Sequence, residues 1–470
     1  MSLDEQSVMT HFQRTHCWDE TGRFIVPLPK KTVVMPLGES RSLAVRRFLW
    51  LECSLQSKDQ FQGLSDVIEE YFEMGHAELV PEAELHKPCK DVFYLPMHAV
   101  VKDSSTTTKV RAVFDASAKS STGVSLNDQL LVGPTIHSPL VDVLMRFCLH
   151  RIALTTDVSR IYRAVLLPKD ERDLHRFVWR SQPDETLRDY RMTCVTFGVA
   201  SSSFTANASV RQNAIDHADE FPLAAAAVCN SFYVNDGLTG ADSLEGAVML
   251  QGQLHGLFAQ GGFLHRKWRS SEPAALRHPP DLLDPQLTQT IHDPEGFAKA
   301  LGVEWSASLD CFRLTVTEFP DLETITKRAL VSDIAKTYDV LGWFAPVIVK
   351  VKILLQRLWE AGLGWDDLVP STIRETWEIW RSELPALSRK LIPRCYFPKD
   401  AHVASVQLHG FCDASESAYA GVVYLRMVDT DNVVHVSLVV AKTMVALLKR
   451  LTIPRLELCG ANLLADLFIM

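Results

Sequence analysis

The 470-residue sequence lacks the long apolar run that a membrane helix requires, ~20 residues; its nearest approach, residues 223–229, is far too short. Residues 1–20 are polar and mixed in charge, unlike a secretory signal, so a cytoplasmic or nuclear, non-secreted protein with no membrane partner is expected. The ten cysteines are scattered, without a C-x-x-C pair or nearby paired histidines. That excludes a zinc-finger pattern and a disulfide framework, and leaves reduced structural thiols. There is no internal repeat and no low-complexity tract. Excess basic charge is also missing: the net charge is −9, which argues mildly against nucleic-acid binding, since phosphate contact wants Lys and Arg. The basic residues are unevenly spread, however. Lys102, Lys109, Arg111 and Lys119 form one cluster and Arg160, Arg163, Arg172, Arg176 and Arg180 another.

What is present is an ordinary globular composition, 47% hydrophobic and 22% charged, long enough for two to four domains. Helical apolar spacing runs over residues 38–56 and 58–74, the latter ending at Gly75 as a C-terminal stop. Short β-type runs follow at 92–95, 98–102 and 110–114, the last two joined by a polar turn. Residues 151–268 are mixed: strands at 152–156 and 191–197, a helix at 202–216, and a hairpin of 231–234 with 238–240 around Asn235-Asp236-Gly237. Amphipathic helices rich in Leu and Trp are expected at 322–338, 346–361 and 371–391, and a last α/β stretch begins near Val406.

Three acidic segments carry the chemistry. Asp157 closes a strand, Tyr233-Val234-Asn235-Asp236-Gly237 forms a hairpin, and Asp413 ends a strand in the last stretch. An acid at a strand end followed by an aromatic-x-acid-acid hairpin is how template-copying polymerases assemble a two-metal site. Three carboxylates there clamp two Mg²⁺ ions ~3.5–4 Å apart, between the attacking and the leaving oxygen. Here the first acid of the hairpin is an amide, Asn235. Taken alone, Asn-Asp-Gly between apolar runs is a common two-residue hairpin turn, because these residues tolerate positive φ. The upstream Lys109 and Arg111, with Tyr162 and the 196–202 turn between the two acidic segments, favour the catalytic reading.

Eight segments extend that reading: PLGESRSLAVRR, KVRAVFDASAKSSTGVSLNDQLLVGPTI, YVNDGLTGAD, GGFLHRKW, KALGVEW, LVSDIAKTYDVLGWFAPVIVKVKILLQRLWEAGLGWDD, GFCDASESAYAGVVYLR and LTIPRLELCGA. In these the chain resembles the polyprotein of Pao/BEL-type long-terminal-repeat retrotransposons, over the reverse transcriptase and the beginning of the ribonuclease H domain. The resemblance implies an α+β fold: a right-hand polymerase with fingers, palm and helical thumb or connection, then an incomplete ribonuclease H-like α/β domain. The implied boundaries are a helical lead-in over 1–90, fingers and palm over 91–283, primer-grip hairpin, thumb and connection over 284–404, and the truncated nuclease over 405–470. It also implies roles. Asp157, Asn235 and Asp236 take the catalytic positions, with Asp157 and Asp236 as the remaining ligands for the family's two Mg²⁺ ions. Tyr162 takes the place of the gate under the incoming sugar, and Arg111, assisted by Lys109 or Lys102, that of the triphosphate ligand. Phe197-Gly198 matches the turn against nucleotide and template, and Lys267 the proton donor to pyrophosphate. Leu301, Gly302 and Trp305 fall in the primer grip, and Asp413 and Glu457 match the first two nuclease acids. The implied partners are an RNA or DNA template with primer, and deoxynucleoside triphosphates.

Two departures define the expectation further. Asn235 removes a unit of negative charge from between two divalent ions, and losses even outside the ligand shell typically cost about 10–100-fold. Ser203 replaces a Pro usual in the family. The nuclease stops before its third acid, so no ribonuclease H activity is expected. The sequence thus predicts a degenerate or captured element copy: an impaired RNA-directed DNA polymerase, or alternatively a non-enzymatic nucleic-acid- or protein-binding remnant.

Overall fold

The structure, a computed structural model, describes residues 1–33, 35–101, 110–276, 297–315, 324–399, 401–449 and 451–470. Lys102 and Lys109 lie outside these residues. The chain forms two compact units, each assembled from separate stretches: residues 1–137, 158–229 and 253–265 in the first, residues 138–157, 230–252 and 266–470 in the second.

The first unit begins with a helix, Leu3–Thr15, started by a reciprocal Ser2–Glu5 capping box. Its buried Phe12 meets Phe204 edge to face at 6.0 Å, so this lead-in packs on helix Ser202–Asp216. Helices Arg41–Gln56 and Phe61–Glu73 and the hairpin of Met97–Val101 with Val110–Phe114 follow. A three-stranded sheet joins Ala77–Leu79, Arg188–Met192 and Arg176–Trp179. The strand expected at 191–197 ends at Met192. Beyond it the backbone makes single bonds, Thr193 N–H to His76 and Val195 N–H to Val165, in place of a ladder.

The basic cluster at 160–180 is consumed inside this unit. Arg160 pairs with Glu70, Arg172 with Glu78, and Arg180 with Glu52, while Arg163 lies 4.3 Å over the ring of Tyr71. Arg176 is fully buried, with Asp173 at 2.8 Å and the Glu84 carbonyl at 2.6 Å. Arg176 is buried and must be paired to be tolerated, while Arg160, Arg172 and Arg180 are partly exposed and also engaged with acids of the same unit.

The elements of the second unit are numbered along the chain. Helix α1 (Leu140–Leu149) precedes a sheet of order β4-β1-β3-β2, built from β1 (Ile152–Ser159), β2 (Phe232–Tyr233), β3 (Asp236–Ala241) and β4 (Leu264–Ser270). A second antiparallel sheet runs through β5 (Phe297–Ala300), β6 (Val303–Ser306), β7 (Cys311–Arg313) and β8 (Leu391–Pro393). Between β7 and β8 lie α2 (Lys327–Ala335), α3 (Ala345–Glu360) and α4 (Ser371–Leu387), packed on one another through Leu330, Val351, Leu354 and Trp377. The α4 helix stops short of the expected 391 because Leu391 opens β8. The last sheet has order β9-β10-β11, from Val403–Ala414, Ala418–Asp429 and Val434–Val445, and α5 (Ile453–Ile469) lies on it. One apolar core joins all three sheets: Val143 and Phe147 of α1, Leu238 of β3, Trp305 of β6, Phe312 of β7, and Leu425 and Met427 of β10.

Arg394 clamps this core. Its guanidinium forks onto Asp310 at 2.6 and 2.7 Å and donates to the Phe147 and His150 carbonyls at the C-terminal end of α1. Those carbonyls have no partner within the helix, and a cation there also meets the negative end of its dipole. Asp310 accepts in addition from Trp305 Nε1 at 3.0 Å.

Candidate active site

Antiparallel pairing of β1 with β3 sets Asp157 directly opposite Asp236. Facing residues in such a ladder have Cα atoms ~4.5–5.5 Å apart and point to the same side, so two acids distant in sequence share one spot. Asp157 lies two residues inside β1 and not at its end as the sequence suggests. The hairpin is also one step different from expectation. Tyr233 pairs with Asp236 and Phe232 with Gly237, so the two-residue loop is Val234-Asn235, and Asp236-Gly237 belongs to β3. The reason is packing. The Phe232 ring lies so close over Gly237 that a Cβ there would come within 2.5 Å of it. Val234 then takes the left-handed conformation, φ +57°, costly for a β-branched residue. Strain of this kind gathers at functional sites.

Polar groups converge on Asp157. Its Oδ1 accepts from Asn235 Nδ2, its Oδ2 lies 3.0 Å from Lys267 Nζ, and Arg266 Nε stands 3.9 Å from the same oxygen. Burial, and next the Asp157 charge, push the Asp236 carboxyl up to about 6, which Lys267 offsets only in part. The cluster therefore contains one carboxylate already neutralised by an ammonium, one reluctant to ionise, and one amide. A pair of divalent ions does not fit this donor set. Among the described residues no three His, Cys, Asp or Glu side chains come together as a metal-holding group.

Other candidate residues form separate groups. In the first unit, Tyr162 and Phe197 have ring centroids 4.6 Å apart, and Gly198 at φ +94° presses on the Phe114 carbonyl, leaving no room for a Cβ. Arg111 is exposed on strand Val110–Phe114. Tyr162 is carried by a short turn that follows Arg160, itself left-handed at φ +53°. In the second unit Leu301 and Gly302 form the two-residue tip between β5 and β6, both at positive φ, as a type I′ turn requires. Trp305 is not available to a primer. It is 1% exposed and packs edge to face on Phe147 at 5.4 Å. Asp413 is exposed on β9 and Glu457 sits in the second turn of α5. Helix α5 packs against β9 at Gly460, which lies against the Asp413 carbonyl. Reasoning from sequence missed Arg266, Arg394 and Asp310, whose roles appear only once distant segments meet.

Comparison with known proteins bears on the fold and on the C-terminal part of the chain. Residues 326–470 match the family model of the Pao retrotransposon-like RNaseH-like domain, a region that takes in α2–α4 as well as the β9–β11 sheet. No curated protein matches the chain. Among solved structures, the foamy viral protease-reverse transcriptase dRH in complex with double-stranded DNA is similar with a TM-score of 0.56 and 14% identity over 95% of this chain. The foamy viral protease-reverse transcriptase in complex with an RNA/DNA hybrid gives 0.55, again at 14% identity over 95% of this chain. The chain spans 64% and 49% of the length of those two. The chain thus has the fold of these reverse transcriptases, and its residues 326–470 are similar to the Pao retrotransposon-like RNaseH-like domain.

Proposed function

We propose that this protein is an RNA-directed DNA polymerase by descent that binds primer–template and whose nucleotidyl transfer is impaired. The carrying observation is the direct pairing of Asp157 with Asp236 beside Asn235, within a reverse-transcriptase fold. The two structurally similar foamy viral proteins were solved on double-stranded DNA and on an RNA/DNA hybrid, which supports nucleic acid as the partner. In this reading Tyr162 and Phe197 offer a stacking surface to a deoxynucleotide, Arg111 an exposed cation to its phosphates, and the Leu301-Gly302 tip a backbone edge to a primer. Mg²⁺ is the ion that the three-carboxylate version of the palm would use. Asp157 and Asp236 are what remains to hold it. Restoring the third carboxylate adds the missing negative charge without disturbing the turn, because Asn235 occupies the turn position that does not need positive φ.

Asn235→Asp is therefore expected to raise Mg²⁺-dependent primer extension ~100-fold or more, on the scale of ligand-shell losses. If the variant folds, binds primer–template and does not extend it, impairment at position 235 is refuted. Since among the described residues no three His, Cys, Asp or Glu side chains gather to hold a metal, the purified chain is expected to leave RNA–DNA hybrids uncut; Mg²⁺-dependent cleavage would overturn that. A protein that binds hybrids in a salt-sensitive way, with neither form extending, would instead fit a non-enzymatic binding role.

A further inference from the structure

Lys267 sits in the middle of β4 yet has a left-handed backbone, φ +58°. An L-residue with a long side chain adopts this rarely, and a strand gains nothing from it. The conformation coincides with placement of the ammonium 3.0 Å from Asp157 Oδ2, where the carboxylate is only 14% exposed. Arg266 stands one residue before, its Nε buried and without a hydrogen-bond partner among the described residues, 3.9 Å from the same oxygen. Asn235 Nδ2 occupies the other oxygen. Both lone-pair faces of Asp157 that a bridging cation would need are thus met by side-chain nitrogens.

Building on the palm reading above, we propose that Lys267 is the resident counter-ion of Asp157, so that a divalent cation binds this palm only by displacing it. Asn235 is part of the same arrangement. An acid at that position would repel Asp157, whereas the amide donates to it, so the trio is self-neutralising without metal. Lys267 on this account is a positioning residue that keeps the hairpin and β1 together, in place of a proton donor to pyrophosphate.

The test is Mn²⁺ binding to the full chain, read by loss of the free-ion electron paramagnetic resonance signal, which needs no turnover. Lys267→Met is expected to tighten Mn²⁺ binding about tenfold or more, since it removes a like charge from beside the ligand. Lys267→Arg is expected to keep it weak. The metal-free Lys267→Met protein should melt at lower temperature than the parent and recover on adding Mn²⁺, while the parent barely responds. Lys267→Gln serves the same purpose if the Met variant does not fold. Unchanged or weaker Mn²⁺ binding on neutralising Lys267 overturns the proposal. So does collapse of both neutral variants whether or not Mn²⁺ is supplied, because a counter-ion that metal can replace is dispensable when metal is present. An Asn235→Asp protein that extends primers while Lys267→Met gains no Mn²⁺ affinity refutes this inference alone. Failure of extension alongside a clear gain in affinity refutes the polymerase reading alone.

Discussion

Arg394 ties the Asp310 carboxylate to the Phe147 and His150 carbonyls at the end of α1. Arg394→Met would leave Asp310 with Trp305 Nε1 in place of a guanidinium and two helix-end carbonyls without their donor, and breaking a buried pair from one side costs about 3–5 kcal/mol. A matching fall in stability by urea denaturation is expected, and a loss under roughly 1 kcal/mol, the scale of an exposed pair, would show that the clamp is ornamental. Nothing in the sequence marks Arg394, since its partners lie in other segments. Asp157, Asn235 and Asp236 can be named from the sequence because the strand-acid and hairpin patterns are local and chemically specific. Lys267 is visible there only as a lysine at a family position, since its ion pair depends on a left-handed backbone that no propensity predicts for lysine.

Among elements, periodicity located helices and short strands well. Helices over Arg41–Gln56, Phe61–Glu73, Ser202–Asp216 and Ala345–Glu360 fall where the apolar spacing puts them. Turn register was harder. Asn-Asp-Gly is so strong a turn signal that the displacement to Val234-Asn235 could not be foreseen, because it depends on the ring of Phe232 covering Gly237. The nuclease-like sheet shows an element-scale liability. Strand β9 pairs with β10 alone among the described strands, and its Val406, Leu408 and Phe411 are exposed. A long apolar edge of this kind templates pairing with other chains. Leu408→Lys is accordingly expected to reduce concentration-dependent association, read by light scattering, with a change in stability of no more than about 0.5 kcal/mol for such a surface site. Equal aggregation of parent and variant would acquit the edge.

For the whole molecule, the sequence conveyed the fold class and the resemblance, while the division into units drawn from separate stretches became visible only in three dimensions. The same holds for the arginines at 160–180, whose acidic partners Glu52, Glu70, Glu78 and Asp173 lie in other segments or turns and are not apparent from the sequence. Acid sensitivity follows from the first unit. Burial, with Arg163 and Arg23 nearby, brings His76 down to about 4, and burial brings His175 to about 4. Unfolding returns both to the ordinary value of 6.5. Between those values the unfolded chain binds protons that the folded one refuses. The contribution of each histidine is therefore complete above pH 6.5 and declines as pH falls towards 4, by about 1.4 kcal/mol per pH unit for each. The raised Asp236 carboxyl, which takes up its proton more readily in the folded chain, offsets part of this below about pH 6. Asp173 adds to the loss at lower pH. Burial raises its carboxyl, but bonds from Lys87, Arg176 and Arg191 more than reverse this and hold it below the usual range. A urea midpoint no lower at pH 5 than at pH 7.5 would contradict this account.

The Arg394 clamp also sets a clock. Its bond to the Phe147 carbonyl spans 247 residues of chain, so α1 leaves the ribosome long before its cap is made. At synthesis rates of about 5–20 residues per second that interval is ~12–50 s. For that time the helix end and the apolar face of β1 wait without the partners that later cover them.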